Sequence, residues 1–263
     1  MMKLGFLGMG KMGSAILSGV LKQQLFLKSD IYYFDPYQDI DTIYRVDSER
    51  TLYDLVDVVI LAIKPQLFPT VIPLLLTSLR TPLMISIAGG IDLEYLNYHF
   101  PHSKIIRVMP NLAATINECV SVYSINNRVK ADDETLLVHI FSSLGTVYPI
   151  NEQQMDGVVA LNGSYPAYLY FFIQAMISAA VKDGFCEEFA KKIVCETARA
   201  SVDLAMQDKR SLSDLIRDIC SPKGITLEGI QVMEDGHLRK LVEDVYQATK
   251  KRSIVIKDSY KSH

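Results

Sequence analysis

Residues 8–13 read Gly8-Met9-Gly10-Lys11-Met12-Gly13, a G-x-G-x-x-G run between an apolar stretch ending at Leu7 and a helical stretch, Ser14 to Leu25. Between a strand and a helix, each glycine of this pattern has a task in holding a dinucleotide. Gly8 permits the tight turn, Gly10 lets backbone approach a pyrophosphate with no Cβ in the way, and Gly13 allows close packing of helix on strand. The diphosphate would rest on the helix N-terminus, with Leu7, Met9, Lys11 and Met12 supplying the rest of the turn. A glycine-rich βα turn without a ligand is the competing reading, and the remainder of the chain must decide.

Several other segments carry chemistry. Asp35, in Phe34-Asp35-Pro36, stands 27 residues beyond Gly8, near the position of the acidic residue that binds an adenosine ribose. Its carboxylate would accept the ribose hydroxyls and repel a 2′-phosphate, and no arginine follows in sequence until Arg45. That favours NADH over NADPH; the alternative is a turn aspartate preceding Pro36. Val58 to Ile63 runs directly into Lys64-Pro65, Met84 to Ile87 into Ala88-Gly89-Gly90, and Arg107-Val108-Met109 into Pro110-Asn111. Ligands of open α/β sheets bind at the carboxyl ends of strands. Ala62, Ile63, Lys64, Pro65, Ala88, Gly89 and Asn111 are therefore expected along one cofactor crevice. The turn Cys220-Ser221-Pro222-Lys223-Gly224-Ile225-Thr226 opens a helix and offers backbone N–H groups and two hydroxyls to a carboxylate. Helix capping by Ser221 or Thr226, with Pro222 in the first turn, explains the same residues, and both readings stay open.

The elements that must position these residues follow from periodicity. β-like apolar runs occur at Lys3 to Leu7, Ile31 to Phe34, Val58 to Ile63, Leu83 to Ile87, Ile105 to Val108 and Val120 to Ser124, with crossover stretches such as Ser14 to Leu25 and Pro69 to Leu79 between most of them. Strands apolar on both faces that alternate with helices predict a Rossmann-type, doubly wound parallel sheet. From Asn151 the strand-like runs stop, and helical patterns follow at Pro166 to Lys182, Glu187 to Met206 and His237 to Lys250 or beyond. Interruptions fall at Asp183-Gly184, Lys209 to Ser211 and Ser221 to Gly224. Two domains are expected, 1–150 and 151–263, the second all-α.

Composition excludes other classes. A formal net charge of −3 gives no basic patch for nucleic acid or an anionic membrane. Cys119, Cys186, Cys195 and Cys220 lack metal-ligand spacing, so no metal site is expected, and they read as buried thiols of a reducing cytoplasm. His99, His102, His139, His237 and His263 are scattered and read as surface or loop residues. The glycines break the N-terminal apolar run too early for a signal segment. Tyr165 to Val181, about 17 residues with Gln174 and Ser178, falls short of the roughly 20 apolar residues of a membrane span and reads as a helix buried by protein on all sides.

In their order and spacing, Gly5 to Gly13, Ala62-Ile63-Lys64-Pro65, Met109-Pro110-Asn111, Gly163-Ser164 with Pro166-Ala167-Tyr168, and Cys220-Ser221-Pro222 with Gly224 and Thr226 resemble a pyrroline-5-carboxylate reductase over essentially the whole chain. The resemblance implies an NAD(P)H-dependent oxidoreductase that transfers hydride to a cyclic imine and yields proline. It implies a helical domain that interlocks with a second subunit as a homodimer, commonly built into larger rings. It puts the substrate carboxylate in the turn of Ser221, Lys223, Gly224, Ile225 and Thr226. Thr226 matches the family threonine taken to contact the imine nitrogen, and Ser221 joins it as a catalytic candidate. Three positions depart from the family pattern: Lys223 replaces a glycine of S-P-G-G, Tyr165 a small residue, and Asn162 a serine. Tyr165 and Lys223 motivate an alternative, a relative reducing another cyclic imino acid; a non-catalytic regulatory relative that keeps the dinucleotide fold is another.

Overall fold

The computed structural model of the protein describes residues 2–222 and 224–261. Its sheet is built from β1 (Leu4–Leu7), β2 (Ile31–Phe34), β3 (Tyr44–Arg45), β4 (Val58–Leu61), β5 (Leu83–Ser86), β6 (Ile105–Met109), β7 (Cys119–Ile125) and β8 (Gly145–Pro149), in the order β3-β2-β1-β4-β5-β6-β7-β8. The reversal of winding between β1 and β4 is the topological switch point of a Rossmann sheet. All residues of β1, β4, β5 and β6 are buried, as required of strands covered on both faces.

Helices α1 (Lys11–Lys22), α2 (Glu49–Leu55), α3 (Phe68–Leu75), α4 (Leu93–His99) and α5 (Ala131–Ser142) do the covering. Two apolar cores result. Phe6, Ile60, Ile85 and Val108 meet Ile16, Val20, Ile140 and Phe141 on one face. On the other, Leu7, Val59, Met84 and Ile105 meet Leu52, Ile72 and Leu96.

One expectation requires correction: the sheet is not parallel throughout, because β7 runs antiparallel to β6. Only the short 3₁₀ turn Leu112–Ile116 joins them, and a parallel crossover needs a dozen or more residues. Strands β3 and β8 have no counterpart among the expected apolar runs.

Beyond β8 come α6 (Met155–Val158), the π-turn Val159–Gly163, α7 (Tyr165–Lys182), α8 (Glu187–Gln207), α9 (Leu212–Ile219), α10 (Ile225–Asp235) and α11 (Leu238–Lys261). The chain divides into two compact units: one takes the sequence up to Ser164 together with the stretch from Thr249 onward, the other is Tyr165–Ala248. Residues 151–164 thus lie with the sheet, where Met155 and Val158 pack on Met109 and Val122. The end of α11 is held to the same unit through Ser253 and Lys257, both bonded to Asp156.

In the helical unit, α7 and α8 end where the interruptions predicted, Gly184 taking a φ of +90°. None of the residues of α7 is buried within the single chain. Tyr170, Phe171, Phe172 and Met176 are all exposed. No helix of the described residues is long and apolar enough to cross a membrane.

Candidate active site

The glycine turn is built as its sequence requires. Gly8 has a φ of +95°, and a Cβ there would meet the Ala62 carbonyl oxygen at 2.7 Å. A Cβ on Gly13 would meet the Gly8 carbonyl at 2.6 Å. Gly10 is different: it caps α1 without a side-chain bond, and a Cβ there would meet nothing within 4 Å. An exposed, open helix N-terminus followed by Lys11 fits a pyrophosphate. Leu7 and Met9 are buried in the apolar cores, which leaves only their backbone for a ligand.

Asp35 ties this turn to the end of β2. Its Oδ2 accepts from the Met9 N–H at 2.8 Å, and its Oδ1 accepts from the N–H groups of Tyr37 (2.8 Å) and Gln38 (3.0 Å). The carboxylate is therefore a structural clamp as well as a ribose candidate. The premise that no arginine stands beside it fails, because β3 pairs with β2 and brings Arg45 Nη2 to 2.9 Å from the Asp35 carbonyl oxygen. Ten residues of sequence separation hid this neighbour.

The strand ends converge as expected. A cavity of about 230 Å³ is lined by Met12, Ala62, Ile63, Lys64, Pro65, Ile87, Ala88, Gly89, Met109 and Pro110. Apolar walls with one ammonium, Lys64, suit a flat heterocycle attached to a charged backbone. Asn111 follows Pro110 directly and is half-buried. Its Oδ1 accepts from the Ala113 N–H (3.2 Å) and its Nδ2 donates to Asn162 Oδ1 (2.8 Å). The sequence marks Asn162 only as a departure from serine; nothing in its local pattern announces this contact, which spans 51 positions.

In the helical unit, Ser221 and Gly224 form a tight turn, the Gly224 N–H donating to the Ser221 carbonyl at 2.8 Å. A Cβ on Gly224 would meet the Ser221 carbonyl oxygen at 2.9 Å, so a side chain there would push on the backbone of the turn. The N-cap of α10 is Gly224, without a side-chain cap. This overturns the capping alternative for Ser221 and Thr226 and leaves Pro222 outside the helix. Ile225 and Thr226 are exposed in its first turn. Lys223 lies outside the described residues.

The chain is 32% identical over 246 residues to the pyrroline-5-carboxylate reductase of Methanosarcina acetivorans, covering 90% of this chain and 91% of that protein. The chain belongs to the pyrroline-5-carboxylate reductase family. The enzyme of that name from Escherichia coli is 31% identical, with 91% and 93% of the two chains covered. Residues 152–255 match the family described as pyrroline-5-carboxylate reductase dimerisation, and residues 3–90 that described as NADP oxidoreductase, coenzyme F420-dependent. Among solved structures, the Plasmodium falciparum pyrroline carboxylate reductase with NADP bound superposes with a TM-score of 0.91 at 31% identity, covering 97% of this chain and 98% of that one. The 1-pyrroline-5-carboxylate reductase of Streptococcus pyogenes gives 0.87 at 32% identity, with 96% and 98% covered.

Proposed function

We propose that this protein reduces 1-pyrroline-5-carboxylate to proline with a reduced nicotinamide dinucleotide, and that its sheet and helical units divide the work. The observation that carries the reading is the conjunction at the strand ends: an open Gly10 at the start of α1 beside an apolar cavity edged by Lys64 and Gly89, in a chain of this family. When bound, the cofactor supplies the hydride. Gly8, Gly10, Lys11 and Gly13 hold the pyrophosphate, Asp35 the adenosine ribose, and Met12, Ala62 to Pro65, Ala88, Gly89 and Asn111 the nicotinamide half.

Ser221, Lys223, Gly224 and Ile225 take the substrate carboxylate at the N-terminus of α10, where backbone N–H groups favour an anion. The Thr226 hydroxyl donates to the imine nitrogen; an iminium is the better hydride acceptor, so a donor held there lowers the barrier. NADH and NADPH both serve. Asp35 supports NADH, and Arg45 beside it supplies the cation that a 2′-phosphate needs.

The exposed aromatic side chains of α7 support a homodimer, since large exposed apolar surface marks a protein interface. Larger rings of dimers extend the same proposal, in which the helical unit Tyr165–Ala248 carries the substrate turn and dimer contacts. We assign the protein to the cytoplasm, where its free cysteines remain reduced.

A steady-state assay with NADH and NADPH against 1-pyrroline-5-carboxylate, run beside six-membered cyclic imines, tests the reading. Turnover of the five-membered imine is expected. Dinucleotide binding without turnover of any imine would leave a non-catalytic relative, and preference for a six-membered ring would move the substrate.

A further inference from the structure

The ladder between β6 and β7 breaks at a proline. Met109 pairs with Val122, and Pro110, which follows, has no N–H to continue the rungs. The N–H of Asn111 turns instead to Cys119 Sγ at 3.3 Å. Two backbone carbonyls, those of Met109 and Val120, stand at the break. Asn162 satisfies both: its Nδ2 donates to Met109 O at 2.9 Å and to Val120 O at 2.8 Å. The side chain is 6% exposed and comes from the π-turn, whose Ser164 N–H reaches back to the Val159 carbonyl at 2.8 Å.

This arrangement fixes the orientation of two carboxamides. A carbonyl only accepts, so the NH₂ end of Asn162 must face Met109 and Val120. Its Oδ1 must then face Asn111, and accepts from Asn111 Nδ2 at 2.8 Å. Asn111 Oδ1 is left to accept from the Ala113 N–H. One Nδ2–H of Asn111 remains, on a half-buried side chain next to Met109 and Pro110, which line the cavity.

We propose that Asn162 is a positioning residue for the nicotinamide half of the dinucleotide: it locks the Asn111 carboxamide so that its remaining N–H is presented to an oxygen acceptor of the ligand. This rests on the reading that the crevice holds the nicotinamide half. A serine at 162 would have one hydroxyl proton and could satisfy only one of the two carbonyls. The asparagine satisfies both carbonyls and accepts from Asn111 at once, which a side chain with a single proton cannot do.

The test is binding without any imine, so failure of the substrate assignment leaves it readable. Dissociation constants for NADH and for ADP-ribose, which lacks the nicotinamide, are measured for the wild type, Asn162→Ala, Asn111→Ala and the double variant. Each single variant is expected to weaken NADH about tenfold, the worth of one hydrogen bond, and to leave ADP-ribose within about twofold. With Asn111 already replaced, Asn162→Ala should add nothing. Unchanged NADH affinity in Asn162→Ala, equal weakening of ADP-ribose, or additive effects in the double variant would overturn the proposal. Should Asn162→Ala not fold, Asn111→Ala, which leaves the Asn162 bonds to the Met109 and Val120 carbonyls in place, carries the same NADH and ADP-ribose expectations.

Discussion

Arg107 Nη1 lies 2.6 Å from Glu152 Oε1, a salt bridge between a guanidinium 1% exposed in the centre of β6 and a carboxylate from the turn that follows β8. Glu152 also accepts from the Leu93 N–H at 3.1 Å and from the Ser124 hydroxyl. One carboxylate therefore ties the start of α4 and the antiparallel pair β6–β7 to the segment leading to Asn162. Removing it strands a buried cation, which costs about 3–5 kcal/mol. Glu152→Ala should lower stability by about that amount in chemical denaturation, whereas Arg107→Met with Glu152→Leu should recover most of it. A double variant as unstable as the single one would show that the charge itself is needed.

The glycines of the first turn separate folding from binding. At Gly8 a side chain meets both a positive φ and the Ala62 carbonyl, so Gly8→Ala should cost at least about 1–2 kcal/mol and lower the melting temperature. Gly10 has a φ of −68° and open space around it, so Gly10→Ala should cost only the roughly 0.5–1 kcal/mol that alanine loses to glycine as an N-cap, less than Gly8→Ala. Its methyl group would instead meet the proposed pyrophosphate, and NADH affinity should fall at least tenfold. Equal NADH affinity in Gly10→Ala would remove the pyrophosphate from this helix end.

Apolar strands announce themselves, and six of the eight are legible because each is a largely apolar run. The other two, β3 and β8, are mostly exposed, and no periodicity marks an edge strand of two residues. The direction of β7 is readable in principle from the short connection after Asn111. Candidate site residues set by a strand end or a glycine turn, such as Gly8, Lys64 and Gly89, are legible from local pattern alone. Arg45 and Asn162 do not, because each acts through a tertiary neighbour: Arg45 through the Asp35 carbonyl, Asn162 through a ladder broken at Pro110.

Arg45 carries a prediction about coenzyme choice. It is exposed, held by one bond to the Asp35 carbonyl, and stands at the end of β2, where a ribose 2′-phosphate would lie. Arg45→Ala should weaken NADPH by about tenfold or more, the effect of removing a charge-assisted hydrogen bond, with NADH affected less than about twofold. Parallel titrations with 2′,5′-ADP and 5′-ADP isolate the phosphate. If both nucleotides weaken equally, Arg45 merely supports the loop.

His99 gives stability a dependence on acid. Its ring packs against Tyr95 at 4.6 Å and Tyr98 at 5.1 Å between centroids. Burial holds its pKa below the ordinary value of 6.5, although it ends α4, where a helix dipole favours the cation. Desolvation wins over the dipole. The unfolded chain then takes up the proton first as pH falls, so this contribution is complete above about pH 6.5 and is lost below it. His99→Phe should flatten the fall in melting temperature between about pH 6.5 and 5; an unchanged slope would assign that fall to other groups.

Thr226 is the test of the chemistry. It stands exposed in the first turn of α10, behind a Gly224 N-cap that uses no side chain, so its hydroxyl is not spent on capping the helix. Thr226→Ala should lower kcat about 10²- to 10⁴-fold, the range for a positioned proton donor. Thr226→Ser, which keeps the hydroxyl, should retain most of the activity. Because the dinucleotide residues belong to the sheet unit, NADH affinity and melting temperature should be those of the wild type in both variants. Raised pH should depress the alanine variant more steeply, since it must draw its iminium from protonated substrate in solution. An alanine variant with full kcat would mean that the imine reaches the nicotinamide already protonated, and Thr226 would then be a contact for binding alone.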